Sequence, residues 1–196
     1  SALIMLLNPY RFGIAGLTDP FFSNVSLLLH MGGADASTTF TDSSAVPKTM
    51  TVNGNAQIST AQSKFGGSSG KFDGSGDWLE SAVDAGFELG TGDFTIEFFV
   101  RLAGYSSSYS GAYGAAIIST YKGTGGGTPI GWQIRINGTS STYSTVNVYT
   151  GTTDLNFSYS FSLNTWYHVA ISRVSGQIRV FVDGVQAGST VSNSDS

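Results

Sequence analysis

The sequence predicts an all-β protein, a two-sheet antiparallel jelly-roll sandwich preceded by an N-terminal extended arm. Three observations lead there. Charged residues make up only 11% of the 196 residues, whereas Gly numbers 26, Ser 29 and Thr 20. Average soluble proteins carry about 25% charged residues, so charged amphipathic helices are a poor fit. Hydrophobic residues alternate with polar ones in many short segments, and no stretch of 12 or more keeps a helical period. Many short strands with Gly-rich turns imply two stacked sheets.

The chain divides into an arm, residues 1–22, and a domain, residues 23–196. Ala2–Leu7 is the longest apolar run, too short for a membrane span of about 20 residues. Leu3, Ile4, Leu6, Leu7, Tyr10, Phe12, Phe21 and Phe22 make the arm greasy, while Pro9, Gly13, Gly16 and Pro20 interrupt it. Such a segment packs on its own domain or docks on a neighbouring subunit, and the second reading makes it an assembly arm.

Strands are expected at Val25–His30, at Thr49–Asn53 and Ala56–Ser59 around Gly54 as a hairpin, and at Gly70–Asp73 and Asp77–Ser81 around Gly74-Ser75-Gly76. Phe94–Leu102 is the clearest: Phe94, Ile96, Phe98, Val100 and Leu102 share one face, Thr95, Glu97, Phe99 and Arg101 the other. Ala115–Tyr121 follows. Gly131–Asn137 turns Trp132, Ile134 and Ile136 inward, with Gln133 and Arg135 outward, and Thr145–Tyr149 does the same with Val146 and Val148. Thr165–Arg173 and Gln177–Asp183 form a hairpin, and Asp183-Gly184 marks a tight turn before Val185–Ser189. One-turn helices are expected near Ser59–Ser63 and Asp84–Glu88.

Asn164-Thr-Trp-Tyr-His-Val-Ala-Ile-Ser-Arg173, followed by Gly176-Gln-Ile-Arg-Val-Phe-Val-Asp-Gly184, resembles the laminin-G-like branch of the concanavalin A-like lectin/glucanase superfamily. Gly66–Leu79 and Asp93–Val100 match its upstream motifs in the same order. The resemblance implies the jelly-roll fold and a structural role for His168. It also implies a last strand, Gly-x-Ile-Asp-Glu-x-Arg-Ile in kind, beside the first. No such segment precedes Ser196; either the chain continues past it or another segment closes the sheet, and residues 1–22 or a neighbouring subunit are expected to cover the Val25–Leu29 edge. Asp19-Pro-Phe-Phe before Val25-Ser-Leu-Leu-Leu-His30 resembles the lead-in to such domains in bacteriophage virion proteins.

Catalysis is not expected. Glycosidases place two carboxyls about 5–9.5 Å apart, whereas Asp93 and Glu97, four residues apart on one strand, lie about 13 Å apart. They read as a strand-start acid and a solvent-facing acid. No Gly-x-Ser-x-Gly elbow precedes a helix, no paired His spacing is present, and Lys122-Gly-Thr-Gly-Gly-Gly-Thr128 lacks the ending of a phosphate loop. The nine basic residues are scattered singly and the net charge is −4, which disfavours nucleic acid. Cysteine is absent. No cofactor is expected, with Asp73 and Asp77 as weak calcium candidates.

The binding candidates are Tyr105, Tyr109, Tyr113 and Tyr143. They lie in loops of Tyr, Ser and Gly, residue types that supply rigid contact area and adaptable hydrogen bonds. Those loops and the 174–176 turn are expected at one end of the sandwich. Together these features describe a non-enzymatic structural or interaction protein on the exterior of a virus particle, in head or tail. It would contact other virion proteins or its own copies, and host surface carbohydrate, without inserting in membrane. The alternative is a free-standing carbohydrate-binding or adhesive module, secreted or on a cell surface.

Overall fold

A computed structural model describes residues 19–104, 115–120, 131–139 and 141–195, and the backbone of 2–6. The first strands are β1 (Ala2–Leu6), β2 (Val25–Leu27), β3 (Met50–Asn53), β4 (Gln57–Ser59), β5 (Ser69–Lys71), β6 (Trp78–Ser81) and β7 (Phe94–Arg101). After them come β8 (Ala115–Ser119), β9 (Gln133–Gly138), β10 (Tyr143–Tyr149), β11 (Asp154–Phe161), β12 (Trp166–Val174), β13 (Gln177–Val182) and β14 (Val185–Ser192). A six-stranded sheet runs β14-β13-β12-β7-β1-β2, and a four-stranded sheet runs β11-β10-β9-β8.

Alternation builds the interior. Phe94, Ile96 and Phe98 of β7, Val169 and Ile171 of β12, and Ile178, Val180 and Val182 of β13 are buried. They meet Ile134, Ile136, Val146, Val148, Leu155 and Phe157 of the smaller sheet in one core cluster. Each such side chain contributes about 1.5–3 kcal/mol on burial. The β12–β13 and β13–β14 turns need two consecutive left-handed residues. Ser175 and Gly176 (φ 50° and 72°) and Asp183 and Gly184 (φ 49° and 80°) supply them.

Arg173 closes one end of the core. It is 2% exposed. Its guanidinium donates to the carbonyls of Gly92 (2.8 Å), Leu89 (3.1 Å), Asp195 (3.2 Å) and Gly90, and lies 4.9 Å from the centre of the Phe94 ring. Burial pulls its pKa downward, and the carbonyls keep the charge satisfied.

Several expectations need correction. The large sheet is not wholly antiparallel, because β1 lies parallel to both β7 and β2. The first strand pairs with Val25 and Leu27, so part of residues 1–22 covers that edge, as expected. The expected hairpin around Gly54 does not form: β3 pairs with β6 and β4 with β5, nesting one ladder within the other. Gly54 (φ 70°) still turns tightly, since a Cβ there would lie 2.3 Å from Asp77 and from the Gly76 carbonyl. The turn at Ala85–Phe87 is a 3-10 helix capped by Asp84, but Ser59–Ser63 is not helical. β11, with Leu155, Phe157 and Phe161 inward, adds a strand not expected from the sequence.

Candidate functional site

The outer face of the six-stranded sheet carries the most ligand-ready surface. Residues between the buried positions of β7, β12 and β13 point away from the core: Thr95, Glu97, Phe99 and Arg101, then Trp166, His168, Ala170 and Ser172, then Arg179 and Phe181. The antiparallel register sets Phe99 beside His168, Arg101 beside Trp166, and Ala170 between Glu97 and Phe181. All are half-buried.

At its centre, the Phe99 and His168 rings lie 4.8 Å apart at a 34° tilt. Phe65, from the segment between β4 and β5, meets Phe99 edge-on at 5.1 Å. Lys64 Nζ stands 5.9 Å from the centres of both phenylalanine rings, within cation–π range. His168 Nε2 lies 3.2 Å from Glu97 Oε2, with the side chains 27% and 15% exposed. The backbone N–H of His168 donates to Asp183 Oδ1 at 2.9 Å. This surface pairs flat apolar rings with a carboxylate and an imidazole that keep further hydrogen-bonding capacity. It suits a ligand with apolar C–H faces and hydroxyl edges.

Glu97 is thus not simply solvent-facing as expected. Asp93 is engaged elsewhere, accepting the Ser175 N–H at 2.8 Å. His168 is hydrogen-bonded, and it also stands on the candidate face. Phe65 and Lys64 had no periodic signal to mark them, because the fold brings them from a loop distant in sequence.

Tyr143 corrects the loop expectation. It is 5% exposed, and its hydroxyl donates to the Gly104 carbonyl at 3.3 Å, so it packs inside rather than on a contact rim. Tyr105, Tyr109 and Tyr113 lie outside the described residues. Gly104 and Tyr143 mark one end of the sandwich, whereas the 174–176 turn lies at the other, beside Asp93. Of the arm residues, Leu3, Ile4 and Leu6 are in β1, and Leu7, Tyr10 and Phe12 lie outside the described residues. Phe21 and Phe22 are 65% and 39% exposed.

The Asp73–Asp77 turn is tied to its own backbone. Asp77 accepts from Asn55 N (2.7 Å) and Asp73 N (2.8 Å), and Asp73 accepts from Ser75 N (2.7 Å). The Asp73 N–H, above all, holds the Asp77 carboxyl below its usual pKa. Among the described residues, no group of three or more His, Asp or Glu is placed to hold a metal ion.

The opposite outer face, on the four-stranded sheet, holds a closed network. Arg135 donates to Asn147 Oδ1 (2.8 Å from Nε) and to Asp154, and Asn147 donates to Asn156 Oδ1 at 3.0 Å. Arg135 does lie on the outward face, yet it is 4% exposed.

Two stacked sheets with a half-open aromatic face define a jelly-roll sandwich of the lectin type. The family model Laminin_G_3, described as concanavalin A-like lectin/glucanases superfamily, matches residues 73–196, and the chain belongs to that family. No curated protein matches in sequence. Among solved structures, the chain is similar to domain 4 of AbnA, a GH43 extracellular arabinanase from Geobacillus stearothermophilus, in complex with arabinotriose. The identity is 15%, the TM-score 0.49, and the match covers 82% of this chain and 74% of that one. So distant a likeness says nothing about this chain's ligand.

Proposed function

We propose that this protein is a non-catalytic recognition module that binds a saccharide chain across the outer face of β7, β12 and β13. One observation carries the reading: Phe99, stacked on His168 and flanked by Glu97 and Lys64, offers a half-exposed ring surface with polar groups at its margin. Sugar C–H faces stack on such rings, and hydroxyls bond to the carboxylate and imidazole. The carboxyl nearest Glu97 along its own strand is Asp93, about 13 Å away by strand rise, which suits binding better than glycoside hydrolysis.

The setting we infer is the exterior of a virus particle, in head or tail, with host surface glycan as ligand. Its support is the Asp19-Pro-Phe-Phe lead-in to β2, which resembles those of bacteriophage virion proteins. A free-standing extracellular module is the other setting compatible with the same site.

A glycan array followed by calorimetry on the best ligand tests the site. Phe99→Ala is expected to weaken binding about tenfold, the scale of one lost ring contact. Unchanged affinity, or no saccharide bound, overturns the reading. Reducing-sugar release that vanishes in Glu97→Gln would make it an enzyme instead. Antibody labelling of purified particles separates the two settings.

A further inference from the structure

We propose that strand β1 is exchanged between copies of this chain, so that residues 2–6 of one copy fill the place between β7 and β2 of another. This does not depend on the saccharide reading. It rests on how that place is built.

Because β1 runs parallel to both β7 and β2, those two strands point the same way with one strand's width between them. Every other ladder among the described strands is antiparallel. Parallel pairing is slightly weaker per residue, so β1 is the least firmly laddered interior strand. Its pairing is also lopsided, with five register positions on β7 but two on β2, across a shift between Leu3 and Ile4.

Both walls are held without it. β7 pairs with β12 over eight register positions. β2 is clasped from its other side. Asp42 accepts from the N–H groups of Leu28 (3.0 Å), Ser44 (2.9 Å) and Lys48 (2.8 Å), and Lys48 Nζ donates to the Ser26 carbonyl at 2.6 Å. If β1 leaves, two unpaired edges face each other, a strong template for an extended strand.

The tether permits exchange. Residues 7–24, eighteen in number, connect β1 to β2. A five-residue strand is about 17 Å long, whereas the twelve residues ahead of the turn and 3-10 helix at 19–24 can reach up to about 40 Å. The connection therefore reaches a neighbour's slot as well as its own. The second copy is the fitting occupant, because the register Ala2↔Phe94 to Leu6↔Phe98 is written in the chain itself.

The chain lacks cysteine, which permits a direct test. Leu3 and Thr95 are register partners. One full-length chain carries Leu3→Cys, another Thr95→Cys, and the two are refolded together and oxidised. A covalent heterodimer, several-fold in excess of the homodimers each forms alone, is the expected product; its absence overturns the proposal. The full-length chain carrying both substitutions checks the ladder. Cross-linked dimers that increase with concentration support exchange. Closed monomers at every concentration, or no cross-link of either kind, refute it.

Discussion

On the outer face of the four-stranded sheet, Arg135 and Asn147 are 4% and 2% exposed and bond to each other, to Asp154 and to Asn156. On the outer face of the six-stranded sheet, Glu97 and His168 share one hydrogen bond, and Phe99 lies between His168 and Phe65. Cation, carboxylate and aromatic ring occur on both faces, since Tyr149 lies 6.0 Å from the Arg135 guanidinium. The difference is how much bonding capacity folding consumes. Asn147 spends its oxygen on Arg135 and its nitrogen on Asn156, so that face is committed to stability. Glu97 keeps an oxygen outside the His168 contact, and the neighbouring rings keep exposed surface, so this face retains capacity for a ligand.

The largest expected effect breaks the closed face. Arg135→Met leaves Asn147 Oδ1 buried without that donor and removes the partner of Asp154, a loss of about 3 kcal/mol. Urea unfolding measures it, and saccharide affinity should stay unchanged. An equal loss of binding would mean that the faces are not independent.

Next comes the clasp on β2. Burial raises the Asp42 pKa, but its hydrogen bonds from Leu28, Ser44 and Lys48 outweigh that and lower it below 3.8. A lowered carboxylate contributes stability that is full above the unfolded value and lost as pH falls through the folded one. Asp42→Asn should cost about 1–3 kcal/mol at pH 7, and the gap to the parent should narrow below about pH 4. A pH series of thermal unfolding reads it; a gap independent of pH would remove the carboxylate's charge from the account.

Phe99→Ala sharpens the open face. With the ring half-exposed, its stability loss should stay near 1 kcal/mol while binding falls about tenfold. The smallest effect is that of Glu97→Gln. A partly exposed pair contributes under about 1 kcal/mol, so melting should barely move while selectivity among glycans shifts.

Much of this architecture was legible because alternation is local. Phe94–Leu102 displayed its two faces in sequence, and the β12–β13–β14 turns were marked by Gly and Asp. Pairing was less legible. Gly54 and the Gly74-Ser75-Gly76 turn each suggested an adjacent hairpin, but ladder partners are chosen by long-range packing, and β3 found β6. β11 alternates Leu155, Phe157, Tyr159 and Phe161 as clearly as β10 does, so its strand is marked by the same local period. The site was the least legible part. Tyr143 looked like a loop contact until its ring proved to fill the core. Phe65 gained a role only once the fold brought it over Phe99.

The position of β1 has a consequence for synthesis. Leu6 pairs with Phe98, roughly 90 residues downstream. At about 5–20 residues per second, the ribosome needs roughly 5–20 s to deliver that partner. Throughout that interval the nascent chain displays Ala-Leu-Ile-Met-Leu, an apolar and uncharged stretch prone to sticking. β1 is translated well before the β7 strand it pairs with, which makes its shielding by chaperones a determinant of yield.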